Sequence, residues 1–501
     1  MSETTTAGSA EEKRSRIDAE IATKLPAVRD LYYDGNWKKP AGGYTRTYNP
    51  ATGADLGPCA EADARDVESA VSAAKRAYPA WRSMKPLARA QILKKIAQIL
   101  RENAQELAFL DAANCGNPVN EMAKDAVVAA AQLDFFAGLV TEIKGDTQSI
   151  DSNSFNMTLR EPLGVCARIV AYNHPLMFTA AKIGAPLAAG NTVIVKPPPQ
   201  SPLSAYRFME LIDGIAPPGV INMVTGGLAC GEALVDHPDV PMVTLIGSVP
   251  TGRAIAAGAS KRLKSVLLEL GGKNALIVYP DADVARAIAG AIRGMNFSWC
   301  GQSCGSTSRL FVHESLYDQV VQGVLEGIKR FKPGIPTDPA TTMGAIISKA
   351  QCDKILSYIE IGRSEGAKLA SGGKVPGDSM LANGYFVEPT VFVDVKPTMR
   401  IAREEIFGPV LSIIKWSDED EMFDDVNALE YGLTGAVFTR SLATAHRAAQ
   451  RIQAGTIWIN HSAEHFLGSP FGGYKQSGVG REECIEELLA FTQIKNVHFA
   501  L

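Results

Sequence analysis

The chain has 501 residues, of which 46% are hydrophobic and 21% are charged, and this composition excludes a disordered or fibrous protein. Acidic residues exceed basic ones by 54 to 50, so the net charge of −4 provides no strong field for nucleic acid or for an anionic membrane. The length predicts about three folding units with a large buried core.

The eight cysteines have neither the spacing of a disulfide framework nor that of a zinc site, so we expect a reducing compartment and no metal. No apolar stretch has the length of a signal peptide or of a membrane span. From these absences we expect a cytoplasmic protein. The polar residues 1–24 are expected to form a flexible leader.

Helical patterns rich in Ala, Leu, Lys and Gln cover residues 66–143, with long helices predicted over 88–113 and 122–139. Residues 153–160 alternate apolar and polar side chains, which predicts a strand. Short apolar strands then alternate with helices. The strands predicted in this block are 165–171, 192–195, 220–224, 242–246 and 265–268. The helices predicted between them are 174–187, 201–214, 231–237 and 251–261.

Continuous apolar strands separated by helices predict a parallel sheet covered on both faces, whose ligands bind beyond the carboxyl ends of the strands. A second α/β block follows Gly272. Its predicted elements are strands at 275–278, 309–312 and 456–459 and helices near 284–296 and 317–330. A glycine-rich loop at 469–480 leads to a short acidic helix and an alternating segment at 491–501. That segment and residues 155–159 resemble edge strands, and the pattern allows pairing either across subunits or within one chain.

Residues 297–306 read Phe-Ser-Trp-Cys-Gly-Gln-Ser-Cys-Gly-Ser. A cysteine among glycine and serine has little bulk around it and many backbone N–H groups near it. These surroundings favour a thiolate and leave room for a carbonyl group. The alternative, which composition alone makes the more frequent one, is a small buried thiol that fills a tight turn.

Residues 268–273 read Leu-Glu-Leu-Gly-Gly-Lys and place Glu269 at the end of an apolar strand. Desolvation at such a place raises the pKa of a carboxyl group and suits it to general-base catalysis. The alternative is a structural carboxylate paired with Lys273 or Arg262.

Asn173 lies between a predicted strand and a predicted helix. Its side-chain amide can donate a hydrogen bond to a developing oxyanion there, although capping the helix is the more common task of such an asparagine. Gly247 and Ser248 lie at another strand–helix junction, where a pyrophosphate can approach a helix N-terminus. This junction lacks the G-x-G-x-x-G fingerprint, so by itself it specifies little.

Three further segments occur in order with these: Val-Lys-Pro at 195–197, Glu-Glu-Ile-Phe-Gly-Pro at 404–409 and Pro-Phe-Gly-Gly-Tyr-Lys at 470–475. Together they resemble the NAD(P)-dependent aldehyde dehydrogenase superfamily, from about Tyr33 to Val497. The resemblance implies an α/β fold and a homodimer or homotetramer held partly by the C-terminal tail. The implied parts are a Rossmann-type NAD(P)-binding domain (25–145 and 166–271), an α/β catalytic domain (272–480) and a small β bridging or oligomerisation element (146–165 and 481–501).

The resemblance also implies a mechanism. Cys304 attacks the aldehyde carbonyl to form a thiohemiacetal, whose oxyanion is held by the Asn173 side-chain amide and the Cys304 backbone N–H. Loss of hydride to NAD or NADP leaves a thioester. Glu269 then activates the water that hydrolyses this thioester to the carboxylate.

The implied cofactor contacts put Lys196 at the adenine ribose and Glu405 at the nicotinamide ribose. The whole set is Ile169, Tyr172, Lys196, Pro199, Gly227, Gly247, Ser248, Leu270, Gln351, Glu405 and Phe407. Pro199 departs from the family, because NAD-preferring relatives commonly carry a glutamate there that binds the ribose 2′-hydroxyl and repels a 2′-phosphate. We therefore hypothesise that NADP is accepted as well as NAD.

The implied substrate pocket also departs from the family, since Ala181 stands where tryptophan is frequent. Ser298, His174 and His465 stand where phenylalanines are frequent. We therefore expect a wider, more polar pocket and a bulky aldehyde, aromatic or ring-bearing. The whole predicted lining is His174, Met177, Phe178, Ala181, Ser298, Trp299, Ser303, His465 and Phe471.

Two alternatives to this enzyme come from the same superfamily. Relatives that pass the thioester to coenzyme A tend to lack the general-base glutamate, and non-catalytic relatives tend to lose the nucleophile or the cofactor groups. Glu269, Cys304, Asn173, Lys196 and Glu405 are all present, so the sequence favours the hydrolytic enzyme.

Overall fold

The structure, a computed structural model, describes residues 9–500. Its helices are α1 (Ala10–Thr23), α2 (Ala64–Ser83), α3 (Pro86–Glu102), α4 (Ala104–Cys115), α5 (Val119–Gly138), α6 (Pro175–Ala181), α7 (Gly184–Ala189), α8 (Leu203–Ile212), α9 (Leu228–Asp236), α10 (Val249–Ser260), α11 (Val284–Gly294), α12 (Tyr317–Gly327), α13 (Lys349–Ser364), α14 (Arg400–Arg403), α15 (Glu419–Asn427), α16 (Leu442–Arg451) and α17 (Ile485–Ala490). Within residues 9–500, no helix combines the length and the apolar character that crossing a bilayer requires.

Short 3₁₀ turns cover Phe297–Trp299, Glu314–Leu316, Ile328–Arg330 and Ser379–Leu381. The strands are β1 (Leu31–Tyr33), β2 (Asn36–Lys38), β3 (Tyr44–Tyr48), β4 (Asp55–Ala60), β5 (Thr147–Asp151), β6 (Ser154–Pro162), β7 (Val165–Ile169), β8 (Thr192–Lys196), β9 (Ile221–Met223), β10 (Met242–Ile246), β11 (Ser265–Glu269), β12 (Ala275–Val278), β13 (Arg309–His313), β14 (Lys368–Ser371), β15 (Thr390–Val393), β16 (Val410–Trp416), β17 (Tyr431–Gly432), β18 (Thr434–Phe438), β19 (Thr456–Ile459), β20 (Tyr474–Lys475), β21 (Gly478–Val479) and β22 (Thr492–Ala500).

The first large sheet has the order β2-β1-β9-β8-β7-β10-β11-β21, and its five strands from β9 to β11 are parallel. Side chains of β8 alternate between two buried clusters, with Val193 and Val195 on one face and Ile194 on the other. Both faces are therefore covered, as the continuous apolar strands predicted. The register pairs Ile169 with Lys196 and Ile246 with Glu269, so these strands end at one edge.

The second large sheet has the order β14-β15-β16-β13-β12-β18-β19 and is parallel except for β14. Its core is divided in the same way, because Ile277 of β12 lies in one buried cluster and Leu276 in another. The predicted strands at 275–278, 309–312 and 456–459 are confirmed as β12, β13 and β19. The loop at 297–306 follows α11 and leads to β13 of this sheet.

A third sheet has the order β22-β6-β5 and pairs the C-terminal strand with β6 of the same chain. Phe155 lies opposite Phe499, and the two rings stack with 4.7 Å between their centroids. The choice that the sequence left open, pairing within the chain or across subunits, is thus decided for these two strands. Residue 501 lies outside the described residues.

The expected flexible leader is wrong for most of its length. Residues 1–8 lie outside the described residues, but α1 forms a regular helix that begins with a capping box between Ser9 and Glu12. Ile21 is buried against the body of the protein, and Arg14 donates a hydrogen bond to the Ser379 carbonyl. These contacts hold the helix in place.

Two predicted helices are each divided in the structure. The helix predicted at 88–113 breaks at Asn103, which leaves the helical conformation and donates its side-chain amide to the Ile99 carbonyl. The helix predicted at 174–187 becomes α6 and α7, separated at Lys182. Periodicity continues across both breaks, so the pattern of apolar residues could not show them.

Candidate functional site

The loop that carries Cys304 is held by hydrogen bonds to residues outside it. Asn274 donates its amide to the Cys304 carbonyl at 2.7 Å and to the Ser306 carbonyl at 3.0 Å. The Gln302 side chain accepts a hydrogen bond from the Ile347 N–H at 3.1 Å. Cys300, four residues before Cys304, has a φ of 55° and donates its thiol to the Gly344 carbonyl. The backbone around Cys304 is therefore fixed on several sides.

Cys304 is the one cysteine of the eight that is not buried. The backbone N–H groups of Cys304 and Gly305 point to its sulfur and lower the pKa of the thiol. Burial of the sulfur, and after it the charges of Glu269 and Glu405, outweigh them and raise the pKa of the thiol to about 12. The expectation of a thiolate is therefore wrong for the protein alone, because the site buries the sulfur and places two carboxylates near it.

Glu269 ends β11 as a buried carboxylate, and neither of its oxygens has a hydrogen-bond partner within residues 9–500. Desolvation raises its pKa well above the usual value, and the charge of Glu482 adds to this. The predicted rise is confirmed. The alternative ion pair with Lys273 is wrong, because the Lys273 ammonium has no partner among the described residues either.

Asn173 is buried, and its carbonyl accepts a hydrogen bond from the Asn117 side chain at 2.8 Å. The helix that follows has His174 as its N-cap residue and no side-chain capping bond. The alternative task of Asn173 as a helix cap is therefore wrong. Among the described residues its own amide has no acceptor, which leaves this donor available.

The predicted cofactor residues on the first sheet lie along one edge of it. Ile169 and Lys196 end adjacent strands, and Pro199 lies on the loop after β8. Burial lowers the pKa of the Lys196 ammonium, while the charges of Cys230 and then Glu61 act to raise it. The backbone N–H of Gly227, at the start of α9, donates to the Glu61 carboxylate at 2.7 Å.

The junction at Gly247 and Ser248 begins α10, a helix of 12 residues. Ser248 is its N-cap, is exposed, and accepts a hydrogen bond from the Thr251 N–H. Leu270 packs against the same helix, since a Cβ on Gly252 would lie 2.5 Å from the Leu270 side chain. The exposed helix N-terminus thus lies next to the strand that carries Glu269.

Glu405 and Phe407 form the opposite side of the site. The Glu405 carboxylate accepts a hydrogen bond from the Gly272 N–H at 3.0 Å, and it lies so close to Gly271 that any side chain there would overlap it. Burial raises the pKa of Glu405. The ring of Phe407 packs edge-on against Tyr172 with 5.9 Å between centroids.

Gln351 supports the segment that contains Glu405 and Phe407. Its side-chain amide donates to the Ile406 and Phe407 carbonyls, each at 2.9 Å, and Phe407 has a φ of 55°. The amide nitrogen of Gln351, a residue predicted to contact the cofactor, thus holds a strained residue in place.

The predicted substrate residues differ in what they contact and in how far they are buried. His174 packs edge-on against Trp299 and Phe178, at 4.9 and 5.3 Å between ring centroids. Met177 is partly exposed on the same helix, whereas Ala181 is sealed in the core that α5 and α6 share. Ala181 therefore adds no accessible surface to the pocket, which corrects its place in the predicted lining.

Two cavities lie next to the nucleophile loop. One of about 790 Å³ is lined by Ser298 and Trp299, and a smaller one by Ser303 together with Glu405 and Phe407. On the far side of the site, the ring of His465 lies 4.4 Å from that of Phe471. A further cavity of about 1170 Å³ lies under α1 and contains none of the predicted site residues.

A model of the aldehyde dehydrogenase family matches residues 37–497. The chain belongs to the aldehyde dehydrogenase family. It is 48% identical over 489 residues to the aldehyde dehydrogenase tropH of Talaromyces stipitatus, a match that covers 96% of this chain and 95% of that protein.

Solved aldehyde dehydrogenases have the same fold. PnpE from Pseudomonas sp. WBC-3, solved in complex with nicotinamide adenine dinucleotide, is 40% identical with a TM-score of 0.92 over 94% of this chain and 97% of that one. The indole-3-acetaldehyde dehydrogenase AldA of P. syringae, solved with NAD+ and IAA, is 34% identical with a TM-score of 0.93 over 96% and 99%. The predicted family and fold are confirmed.

Some side chains of this aldehyde dehydrogenase site were missed in the sequence. Asn274 and Asn117 hold the backbone of Cys304 and Asn173. Asn274 follows the Leu-Glu-Leu-Gly-Gly-Lys motif directly, so its position was the available signal. The sequence also missed a buried ion pair near Glu269, in which Lys182 lies 2.8 Å from Glu482. Nothing local in the sequence indicates that pair, because its members are 300 residues apart.

Proposed function

We propose that this chain oxidises a bulky aldehyde, aromatic or ring-bearing, to the carboxylic acid with reduction of NAD or NADP. The observation that carries the proposal is the arrangement at Cys304. The Cys304 sulfur, held on a fixed loop, lies within the electrostatic reach of two carboxylates that have different surroundings. One of them, Glu405, is bound by a backbone N–H, whereas Glu269 is free to act on a proton.

The residues along the cleft fit a dinucleotide. The Lys196 ammonium has no hydrogen-bond partner within the described residues, which suits it to ribose hydroxyls. The N-terminus of α10 at Ser248 suits a pyrophosphate. The glycine at 271 gives the Glu405 carboxylate the space to face a second ribose.

The chemistry then follows from the side chains. The Cys304 thiol loses its proton to solvent and its sulfur attacks the aldehyde carbon, and the Asn173 amide and the Cys304 N–H donate hydrogen bonds to the resulting oxyanion. When bound, NAD(P)+ supplies the hydride acceptor that turns this thiohemiacetal into a thioester. Glu269, whose carboxylate has a raised proton affinity, takes a proton from the water that attacks the thioester. The acid leaves and the thiol is restored.

Pro199 supports the use of both cofactors. It lies three residues after Lys196, and proline carries no charge to repel a 2′-phosphate and no acceptor for a 2′-hydroxyl. The nearby acid is Glu61, whose carboxylate is already bound by the Gly227 N–H. We therefore propose that NADP binds as well as NAD.

The place and the assembly of the protein belong to the same proposal. The eight cysteines all lie within residues 9–500 and all are free, which supports a reducing compartment such as the cytoplasm. The third sheet, β22-β6-β5, supports a homodimer or homotetramer, since it is small and has two open edges.

The proposal is tested by the initial rates of reduced-cofactor formation from a panel of aldehydes with NAD and with NADP. We expect both cofactors to support oxidation, and Cys304→Ala to lower the rate by at least about 1000-fold while cofactor binding, followed by fluorescence, is retained. The control is Cys59→Ala, which removes a buried thiol in β4.

Two results would contradict the proposal. An unchanged rate in Cys304→Ala would remove the nucleophile, and with it the mechanism. A preference for NAD over NADP of about a hundredfold or more, which is close to 3 kcal/mol, would exclude the use of both cofactors.

A further inference from the structure

Two histidines lie at the candidate site, and each is fixed by a carboxylate. His174 Nδ1 lies 2.7 Å from Asp125 Oδ2, and Asp125 is buried on α5. His465 Nδ1 lies 3.1 Å from Glu483 Oε2, and Glu483 is buried next to α17. A carboxylate at Nδ1 keeps a proton on that nitrogen and fixes the orientation of the ring.

The other ring nitrogen of each histidine is left without a partner. Within residues 9–500, neither His174 Nε2 nor His465 Nε2 makes a hydrogen bond; the His174 nitrogen is not among the buried polar atoms without a partner, and His465 is an exposed residue. The His174 ring packs against Trp299 and Phe178, and the His465 ring lies against Phe471. Each free nitrogen therefore belongs to a ring that contacts aromatic residues of the predicted substrate lining.

One helix supports both histidines. Asp125 and Gln132 of α5 are seven residues apart, which places them on the same face two turns from each other. Asp125 holds His174, and the Gln132 amide reaches the Glu483 carboxylate at 3.5 Å. The two imidazoles are thus oriented by a common, buried scaffold.

The charge near this wall favours oxygen-rich ligands. The cavity of about 790 Å³ beside Ser298 and Trp299 is lined by three cationic side chains and one carboxylate. These are Lys124, Arg293, Arg330 and Glu121. Desolvation opposes protonation of His174, but the charges of Asp125, Asp111 and Glu121 outweigh it and raise its pKa, which favours the imidazolium with both N–H groups as donors.

We propose that His174 and His465 are specificity-determining residues that form hydrogen bonds through Nε2 with an oxygen substituent, a hydroxyl or a carboxylate, on the body of the aldehyde. Asp125 and Glu483 are the positioning residues of these two rings. The inference rests on the proposed function, because it names the substrate class of that same site. An apolar aldehyde of equal size reaches Cys304 but leaves both Nε2 atoms unpaired, and the site discriminates against it for that reason.

The test compares kcat/KM for 4-hydroxybenzaldehyde and 4-carboxybenzaldehyde with that for 4-methylbenzaldehyde, which has a similar size and no oxygen on the ring. For each oxygen substituent, the ratio to the methyl compound is measured in the wild type, His174→Phe and His465→Phe. Intrinsic differences in aldehyde reactivity cancel when ratios are compared between proteins. We expect the ratio to fall roughly tenfold in each variant, mainly through KM for the substituted aldehyde.

Two further variants separate recognition from structure. His174→Gln keeps a side-chain donor and is expected to retain part of the ratio that His174→Phe loses, and it replaces that variant if phenylalanine prevents folding. Asp125→Asn is expected to lower the ratio for the carboxylate more than that for the hydroxyl, since it removes the charge that stabilises the imidazolium. His446→Phe, an exposed histidine of α16, is the control and keeps both ratios.

The outcomes are distinct. A fall in either ratio supports the inference, and the arm that falls tells whether the substituent is a hydroxyl or a carboxylate. Ratios that are the same in the wild type, His174→Phe and His465→Phe overturn the inference and leave the proposed function intact. A wild type that oxidises none of the three aldehydes with either cofactor overturns the proposed function itself.

Discussion

Burial of the Glu269 side chain carries a cost in folding free energy. Its carboxylate is buried without a hydrogen-bond partner among the described residues, and Glu482 and Glu483 add their negative charge nearby. A carboxylate in such a place is unfavourable unless its raised proton affinity is used. The structure thus suits Glu269 to proton transfer and not to a structural ion pair.

Glu269→Gln tests this use of the side chain. We expect steady-state turnover to fall at least about 100-fold while the first turnover still releases one equivalent of reduced cofactor, because only thioester hydrolysis needs the base. Since the pKa of Glu269 is raised, its basic form grows as pH rises, so wild-type turnover increases with pH along a limb that the variant lacks. Rapid mixing and a pH profile measure both.

Glu486→Gln is the matched control, because Glu486 is an exposed carboxylate of the nearby helix α17. It is expected to keep the wild-type burst, turnover and pH limb. If Glu269→Gln shows the wild-type pH limb, the base must be another group.

At this scale the sequence predicted the pKa of Glu269 better than the pKa of Cys304. The motif around Glu269 led to its raised pKa, because an apolar strand end is a local feature. The loop at Cys304 led to a thiolate, which is wrong, because the fold buries the sulfur and brings Glu269 and Glu405 to it from positions 35 residues before it and 101 residues after it. The charge around a side chain is a tertiary property, and no local pattern contains it.

Helix α17 is joined to the first sheet by buried charges. Arg168 of β7 lies 3.2 Å from Glu487 and 3.3 Å from Glu482, and these three side chains are almost completely buried. Lys182, after α6, holds the other oxygen of Glu482. The division of the predicted helix at 174–187 allows Lys182 to reach this cluster. The cluster thus connects the segment that contains Glu482 and Glu487 to the sheet that carries Glu269.

Removal of the cation from this cluster is expected to destabilise the fold. Arg168→Met leaves Glu487 as an unpaired buried charge, so we expect the free energy of unfolding to fall by about 3–5 kcal/mol. Urea denaturation measures it. The double variant Arg168→Met/Glu487→Gln is expected to recover part of the loss, since it removes the stranded charge as well.

The exposed pair of Arg76 and Asp34 provides the comparison, because Arg76→Met there is expected to change stability by no more than about 1 kcal/mol. Equal stability of Arg168→Met and the wild type would show that the buried cluster does not hold the two elements together.

Elements were predicted well where their pattern is complete within the segment. The parallel strands β7, β8 and β10 are each five residues long and mostly apolar, and all were found. The strands β15 and β16 were missed, although they are equally buried, because they lie in a stretch without regular alternation of strand and helix. Strand β22 was predicted, but its pairing with β6 was left open, because an alternating pattern fits the edge strand of any sheet.

In the whole molecule, the third sheet presents an apolar face that the chain leaves partly uncovered. The register places the side chains opposite one another on this face, and two of them, Leu159 and Phe499, are exposed. The others are Phe155, Met157 and Val497. A net charge of only −4 over 501 residues opposes self-association weakly. We therefore propose that copies of the chain assemble through this sheet, as the family resemblance implied.

Leu159→Glu tests this assembly, because it places a charge at one end of the apolar face, opposite Lys495, and leaves the backbone pairing of β6 with β22 intact. Light scattering after size exclusion is expected to give the wild type a mass two or four times the 53.5 kDa of one chain. The mass of the variant is expected to move towards that of a single chain. Leu442→Glu on α16 is the control, since Leu442 is even more exposed, at 73% against 39% for Leu159, but lies outside the sheet. A wild type that remains a single chain at micromolar concentration contradicts the proposed assembly. A Leu159→Glu variant that keeps the wild-type mass moves the interface to another surface.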